Sequence, residues 1–253
     1  MQKLLLVISF ALYQVSGISQ ESEKCIRHVG ISTGLIFHTV KTSSLNNKTK
    51  GLTSNSLLLN FFYQSFLGKK KAHIIYVGSN LTRYKFRYEA SYPSNTYSNA
   101  SLISSDVGSN STHSKTYISY GYNLNINSRF NAIFAVGPSL YFNFRKGLYG
   151  RSKTEIIDSI GSTSNVVIIK DSILIDKKIA SGFVANINLQ YKLFQKKDIF
   201  VVFSLFTNFG FTPFNSIHTT TLYNGSVYDK AIIRGKGDGL NINIGLLLPI
   251  CIK

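Results

Sequence analysis

The sequence predicts an all-β protein: an eight-stranded antiparallel up-and-down transmembrane β-barrel with short periplasmic turns and long external loops. Three observations predict it: strands with a period of two, connections that alternate long and short, and strand faces that almost lack charge. The period is clearest from Thr116 to Arg145. Ile118, Tyr120, Tyr122, Leu124 and Ile126 alternate with Tyr117, Ser119, Gly121, Asn123 and Asn125. After Ser128-Arg129, Phe130, Ala132, Phe134, Val136, Leu140, Phe142 and Phe144 alternate with Asn131, Gly137, Ser139, Tyr141, Asn143 and Arg145. Such alternation marks extended strands with one apolar and one polar face. Here the polar face is Asn, Ser and Gly, unlike an ordinary wetted surface.

In chain order, the first predicted strand covers Val29 to Val40, with Val29, Ile31, Leu35 and Phe37 opposite Gly30, Ser32, Gly34 and His38. A polar loop, Lys41 to Asn55, leads to the second, Ser56 to Phe66. Leu67-Gly68-Lys69-Lys70-Lys71 turns the chain into a third, Ala72 to Ala90, with a bulge expected between Ile74 and Leu81. A Ser- and Asn-rich loop, Ser91 to Lys115, precedes the hairpin that forms strands four and five. The loop Lys146 to Lys177 carries the β-prone run Val166 to Ile169, expected to extend the flanking strands beyond the membrane. Strand six, Lys178 to Leu193, turns through Gln195-Lys196-Lys197-Asp198 into strand seven, Ile199 to Phe211. The loop Pro213 to Gly237 leads to strand eight, Asp238 to Ile252, where Leu240, Ile242, Ile244, Leu246 and Leu248 oppose Asn241, Asn243 and Gly245.

Tight turns on one side and long loops on the other are the habit of outer-membrane barrels, and an even strand number puts both termini at the periplasmic end. A secreted lipocalin-like barrel has the same strand count. Volume and chemistry separate the two. An eight-stranded barrel is just filled by its own side chains; the Gly, Ser, Ala and Asn set fits inside, and the bulky apolar set does not. The apolar face therefore meets lipid.

Lys3 followed by the apolar run Leu4 to Val15, then Ser16, Gly17 and Ser19, reads as a signal peptide. The expected organisation is a signal peptide over 1–19, a periplasmic tail over 20–28 and the barrel over 29–253, in a Gram-negative outer membrane. The net charge of +17 sits mostly in turns and loops without a nucleic-acid-binding motif. It points to outer-membrane lipid and lipopolysaccharide as partners, not to nucleic acid. The protein is expected to be monomeric.

The signal peptide, the eight segments, Gly137-Pro138 followed by aromatics, and the closing Gly239-to-Ile252 segment resemble small outer-membrane β-barrels. The pattern resembles the PorT-like group, similar in architecture to OmpX, OmpA and OmpW barrels, and covers Val29 to Lys253. The resemblance implies work in protein secretion or envelope maintenance, with envelope or secretion proteins as partners. Two features depart from it: the chain ends Ile250-Cys251-Ile252-Lys253 without a terminal aromatic, and Pro138 falls mid-strand, where it breaks a ladder bond.

Candidate chemistry is sparse. His28, His38, His73, His113 and His218 lack metal-like spacing, and Gly235-Lys236-Gly237-Asp238-Gly239 lacks the strand and helix of a phosphate cradle. No catalytic residue, metal or cofactor is expected. The one charged cluster is Arg83, Lys85, Arg87 and Glu89 on one face of strand three with Arg145 ending strand five: a lumenal or rim cluster, or an anion-attracting mouth. Cys25 and Cys251 fall in an oxidising compartment near one seam, but on opposite faces of their strands, which favours two unpaired cysteines. The function expected is a structural, adhesive or envelope-assembly and secretion-associated role through the external loops, without catalysis. The alternatives are a narrow pore or small-ligand carrier, and a lipid-modifying enzyme.

Overall fold

A computed structural model describes the protein from Arg27 to Ile250, apart from residues 69–70, 95–99, 145–146, 161–162 and 195–196. The expected signal peptide, both cysteines and Arg145 lie outside the described residues. Twelve strands are present: β1 Arg27–Ser44, β2 Thr49–Leu52, β3 Ser54–Leu67, β4 His73–Tyr92, β5 Ala100–Asn125 and β6 Phe130–Asn143. They continue as β7 Gly147–Ile160, β8 Thr163–Ile175, β9 Ile179–Phe194, β10 Lys197–Gly210, β11 Asn215–Tyr223 and β12 Ser226–Ile250.

Eight of them close a ring in the order β1-β3-β4-β5-β6-β9-β10-β12, and the β1–β12 pairing shuts it. All ring pairings are antiparallel. Closure removes the edges that would leave backbone groups unpaired in lipid. Arg27, the first described residue, is already paired opposite Ile250 at the short-turn end, two residues before the expected start of the strand. The β5–β6 turn is fixed by Asn127, whose Oδ1 accepts from the N–H groups of Arg129 and Phe130, both at 2.9 Å.

The expected loops at the other end are largely strand. β5 reaches back to Ala100 and β12 to Ser226, so both rise well above the barrel. β11 pairs with the upper part of β12, β8 with β11, and β7 with β8. The result is a second sheet, external to the barrel ring, that grows out of its wall at the end opposite the short turns. The run Val166–Ile169 lies in β8, in a hairpin of its own rather than as an extension of β6 and β9. Several carboxylates expected in loops, Glu155, Asp171 and Asp229 among them, are therefore in strands.

The predicted lipid face is the exposed one. Leu240, Ile242, Ile244, Leu246 and Leu248 of β12 and Val29, Ile31 and Leu35 of β1 are all exposed, as are Phe134, Val136 and Leu140 of β6. Exposed apolar residues forming a complete belt around a closed barrel make it a transmembrane barrel. Pro138 is accommodated without a bulge. Its pairing with β9 is continuous, and the β5–β6 register skips Ile118 and Ser119 and resumes unchanged at Tyr120↔Val136. Beside it a Cβ on Gly137 would lie 1.9 Å from the Ile118 carbonyl oxygen, so glycine is required there. The bulge expected between Ile74 and Leu81 is displaced; β4 shifts register against β5 at Arg83/Lys85 and Phe86/Tyr88.

Candidate functional site: a filled lumen under an external sheet

The inward faces build a column that fills the barrel from end to end. At the short-turn end, His28 packs edge-on against Phe66 and Phe200, with ring centroids 5.9 and 5.6 Å apart. Ile74 and Ile133 are fully buried beside them. Above them Gln190 Nε2 donates to Gln64 Oε1 at 2.8 Å; beyond Phe62 on β3, Asn60 Nδ2 donates to Ser32 Oγ at 3.1 Å and its Oδ1 accepts from the Tyr117 hydroxyl at 3.1 Å.

The next tier is aromatic. Phe62 stacks on Tyr76 at 5.0 Å and Tyr76 on Tyr117 at 6.0 Å, while Phe206 meets both tyrosines edge-on. Gly30 and Gly78 make room: a Cβ on Gly30 would sit 2.2 Å from the Phe62 ring, and one on Gly78 2.3 Å from the Tyr117 hydroxyl. Each ring belongs to the polar-parity set of its strand, so the pattern places them inward. The expectation of a lumen filled by small and amide side chains is thus corrected. Four large rings also fit, because glycine faces them.

Lys115 lies above the rings, buried, although its strand was expected to begin at Thr116. Its amine donates to Asn208 Oδ1 and lies 5.4 Å from the Tyr117 ring centroid. No carboxylate forms a salt bridge with it among the described residues. Asn80, His38, His113 and Tyr141 surround it and line a cavity of about 20 Å³, room for about one water-sized molecule. The sequence signal for Lys115 was its parity with Tyr117 and Ser119, hidden by a polar run that reads as loop.

The asparagine network is partial. Asn208 Nδ2 donates to Asn241 Oδ1 at 3.1 Å, Asn123 Nδ2 to Asn125 Oδ1 at 3.0 Å, and Asn143 Nδ2 to Asn215 Oδ1 at 3.3 Å. The buried amides of Asn186, Asn188 and Asn243 have no partner among the described residues, so amide pairing alone does not seal the barrel.

The column ends in a second apolar core beneath the external sheet. Phe86, Tyr88 and Ala90 of β4 pack with Val167, Ile169, Ile217, Ile233 and Phe214. Two carboxylates are fixed there. Asp171 accepts from Tyr88 at 2.8 Å, Thr219 at 2.9 Å and Ser152 at 3.2 Å. Burial pushes its pKa up, against those hydrogen bonds. Asp229 accepts from Ser44 and Thr49, both at 2.7 Å, and from the Asn46 N–H at 2.9 Å. Burial opposes its ionisation too, but its backbone and hydroxyl donors outweigh it and hold the carboxyl below its ordinary value.

This core corrects the lumenal reading of the charged cluster. Phe86 and Tyr88 occupy the inward face of β4; Arg83 and Arg87 are exposed on the outward face, and Glu89 is half-buried there. Above the lipid the rule inverts on β4: its aromatic side chains face the core, and Arg83 and Arg87 face outward. Lys85 lies on the same strand between the two bulges.

No protein-family model matches the chain, and no curated protein matches it. Solved structures share the architecture. They include the outer membrane protein OprG from Pseudomonas aeruginosa, 10% identical, TM-score 0.45, covering 91% of this chain and 99% of that one. Ail, the attachment invasion locus protein of Yersinia pestis, is 10% identical, TM-score 0.32, over 87% and 98%. The outer membrane protease OmpT from Escherichia coli is 9% identical, TM-score 0.34, over 92% and 100%. Similarity this distant carries no argument about function.

Proposed function

We propose that the protein is an outer-membrane barrel of a Gram-negative envelope that neither conducts nor catalyses. Its work is to hold the external sheet at the cell surface in a structural, adhesive or envelope-assembly and secretion-associated role. The observation that carries this is the filled column: an amide tier, a ring stack and an apolar cap succeed one another along the axis. A pore needs a continuous polar path, and the stack of Phe62, Tyr76, Tyr117 and Phe206 interrupts one.

The test has two arms. Purified protein in planar bilayers is expected to show no stable single-channel current; porin-like nanosiemens steps would refute the non-conducting role. Cysteines placed at Lys153 and Thr220 are expected to label on intact cells with an impermeant thiol reagent. Labelling only after lysis would invert the orientation.

A further inference from the structure

The external sheet separates its charges by face. Asp171 and Asp229 point inward into the core, whereas Lys41, Arg151, Lys153, Lys170, Lys230 and Arg234 are exposed on the outward face. The strand registers line these cations up. Lys153 lies opposite Lys170, Lys170 opposite Thr220, and Thr220 opposite Lys230, a single row across β7, β8, β11 and β12. Nearer the barrel, Lys41 lies opposite Arg234. Like charges directly opposite one another destabilise a sheet. The carboxylate paired on this face is Glu155, 2.8 Å from Lys153. Among the described residues, Lys41, Lys170, Lys230 and Arg234 form no salt bridge.

The direction of this face identifies what it meets. Even-numbered residues of β12 point outward from Leu248 to Lys230, on both sides of the register shift between Gly239 and Gly235: Leu248, Leu246, Ile244, Ile242 and Leu240 to lipid, then Arg234 and Lys230. The cationic tier is thus the upward continuation of the lipid-facing wall and looks sideways over the headgroups. Leu240 and Arg234 lie opposite Phe37 and Lys41, four residues apart on β1; at about 3.3 Å per residue and a tilt of about 40°, Arg234 stands about 10 Å and Lys230 about 20 Å above Leu240. A phosphate esterified at the bilayer surface reaches the lower pair only. A phosphorylated oligosaccharide rising from the same leaflet reaches both.

We infer that this face binds the phosphate groups of the surrounding lipopolysaccharide: Lys41 and Arg234 those near the lipid, and Lys153, Lys170 and Lys230 those on its sugar core. The inference rests on the outer-membrane reading and adds the residues, the tiers and the ligand chemistry. The bound phosphates would relieve the like-charge rows that the fold otherwise leaves facing one another.

The test uses full-length protein folded into phosphatidylcholine vesicles containing lipopolysaccharide with a phosphorylated core, the same glycolipid dephosphorylated in its core, or phosphatidylglycerol. Lipopolysaccharide retained after detergent extraction is titrated for wild type, K153Q/K170Q/K230Q and K41Q/R234Q. At about a fivefold factor per cation, the triple variant should bind the phosphorylated glycolipid about 100-fold more weakly. It should bind the dephosphorylated form as wild type does. The double variant should lose affinity for both glycolipids and for phosphatidylglycerol.

Equal retention by wild type and the triple variant would overturn the inference, as would retention insensitive to core phosphate. Heparin binding to the upper row with no core-phosphate dependence would make the face a receptor for a soluble polyanion and overturn it as well. Gel mobility of unheated samples reports folding separately. If wild type fails to insert at all, the outer-membrane reading falls and this inference with it; if it inserts but binds no glycolipid, only this inference falls.

Discussion

Phe206 supplies the sharpest test of which face is inside. It is fully buried and meets the rings of Tyr76 and Tyr117 edge-on at 6.5 and 5.7 Å. F206A removes a ring from a tier whose other members are held by neighbouring strands, so the gap cannot collapse. Phe→Ala at such a site costs about 3–5 kcal/mol. With a urea dependence of about 2 kcal/mol per molar, the unfolding midpoint should drop by roughly 2 M. The control is Phe203 on the same strand, 45% exposed and on the opposite face. F203A forfeits contact with lipid but leaves no internal cavity, so it should cost less than about 2 kcal/mol. The chain has no Trp, so unfolding in vesicles is followed by circular dichroism and by gel mobility of unheated samples. If F203A destabilises as much as F206A or more, the inside and outside of this barrel have been exchanged and the filled column is wrong.

Other outcomes follow from the same geometry. The combined variant Y76A/Y117A/F206A removes three of the four stacked rings and should give measurable conductance in planar bilayers where wild type gives none. G137A would place a methyl group 1.9 Å from a backbone oxygen of the adjacent strand; overpacking against backbone costs about 1–3 kcal/mol or more, and the heat-modifiable folded band should weaken or vanish. Asp229 has a folded pKa below its unfolded one, so its stabilisation is fully present above pH 3.8 or so and is lost as pH falls through the folded value. Hydrogen exchange over residues 41–52 should quicken at acid pH in wild type, and D229N should be fast throughout. Asp171 has the opposite sign, because its folded pKa is raised: stability falls as pH rises from the unfolded value through the folded one. D171N should remove that fall in exchange over residues 167–175.

The barrel was legible because lipid enforces a simple rule over every crossing strand, and the runs around Tyr120, Ile187 and Ile244 obey it. The external sheet was not. β7 and β11, rich in Ser and Thr, have one face on a protein core and the other in water, and such strands share the composition of loops. The charged residues of β4 were misplaced for the same reason: Phe86 and Tyr88 look lipid-facing until the core above the membrane is known. Lys115 was hidden because the Ser- and Asn-rich run that ends on it reads as loop. The ring stack could have been read from Phe62, Tyr76, Tyr117 and Phe206, each on the Asn and Gly parity of its strand.

β12 is a single strand of 25 residues that serves two structures. Its lower part closes the barrel against β1, and its upper part is the wall on which β11 and β8 assemble. It is also the last strand of the ring to be synthesised. The upper sheet consequently lacks the wall it grows from until β12 is in place, so a barrel caught before closure carries no finished upper sheet.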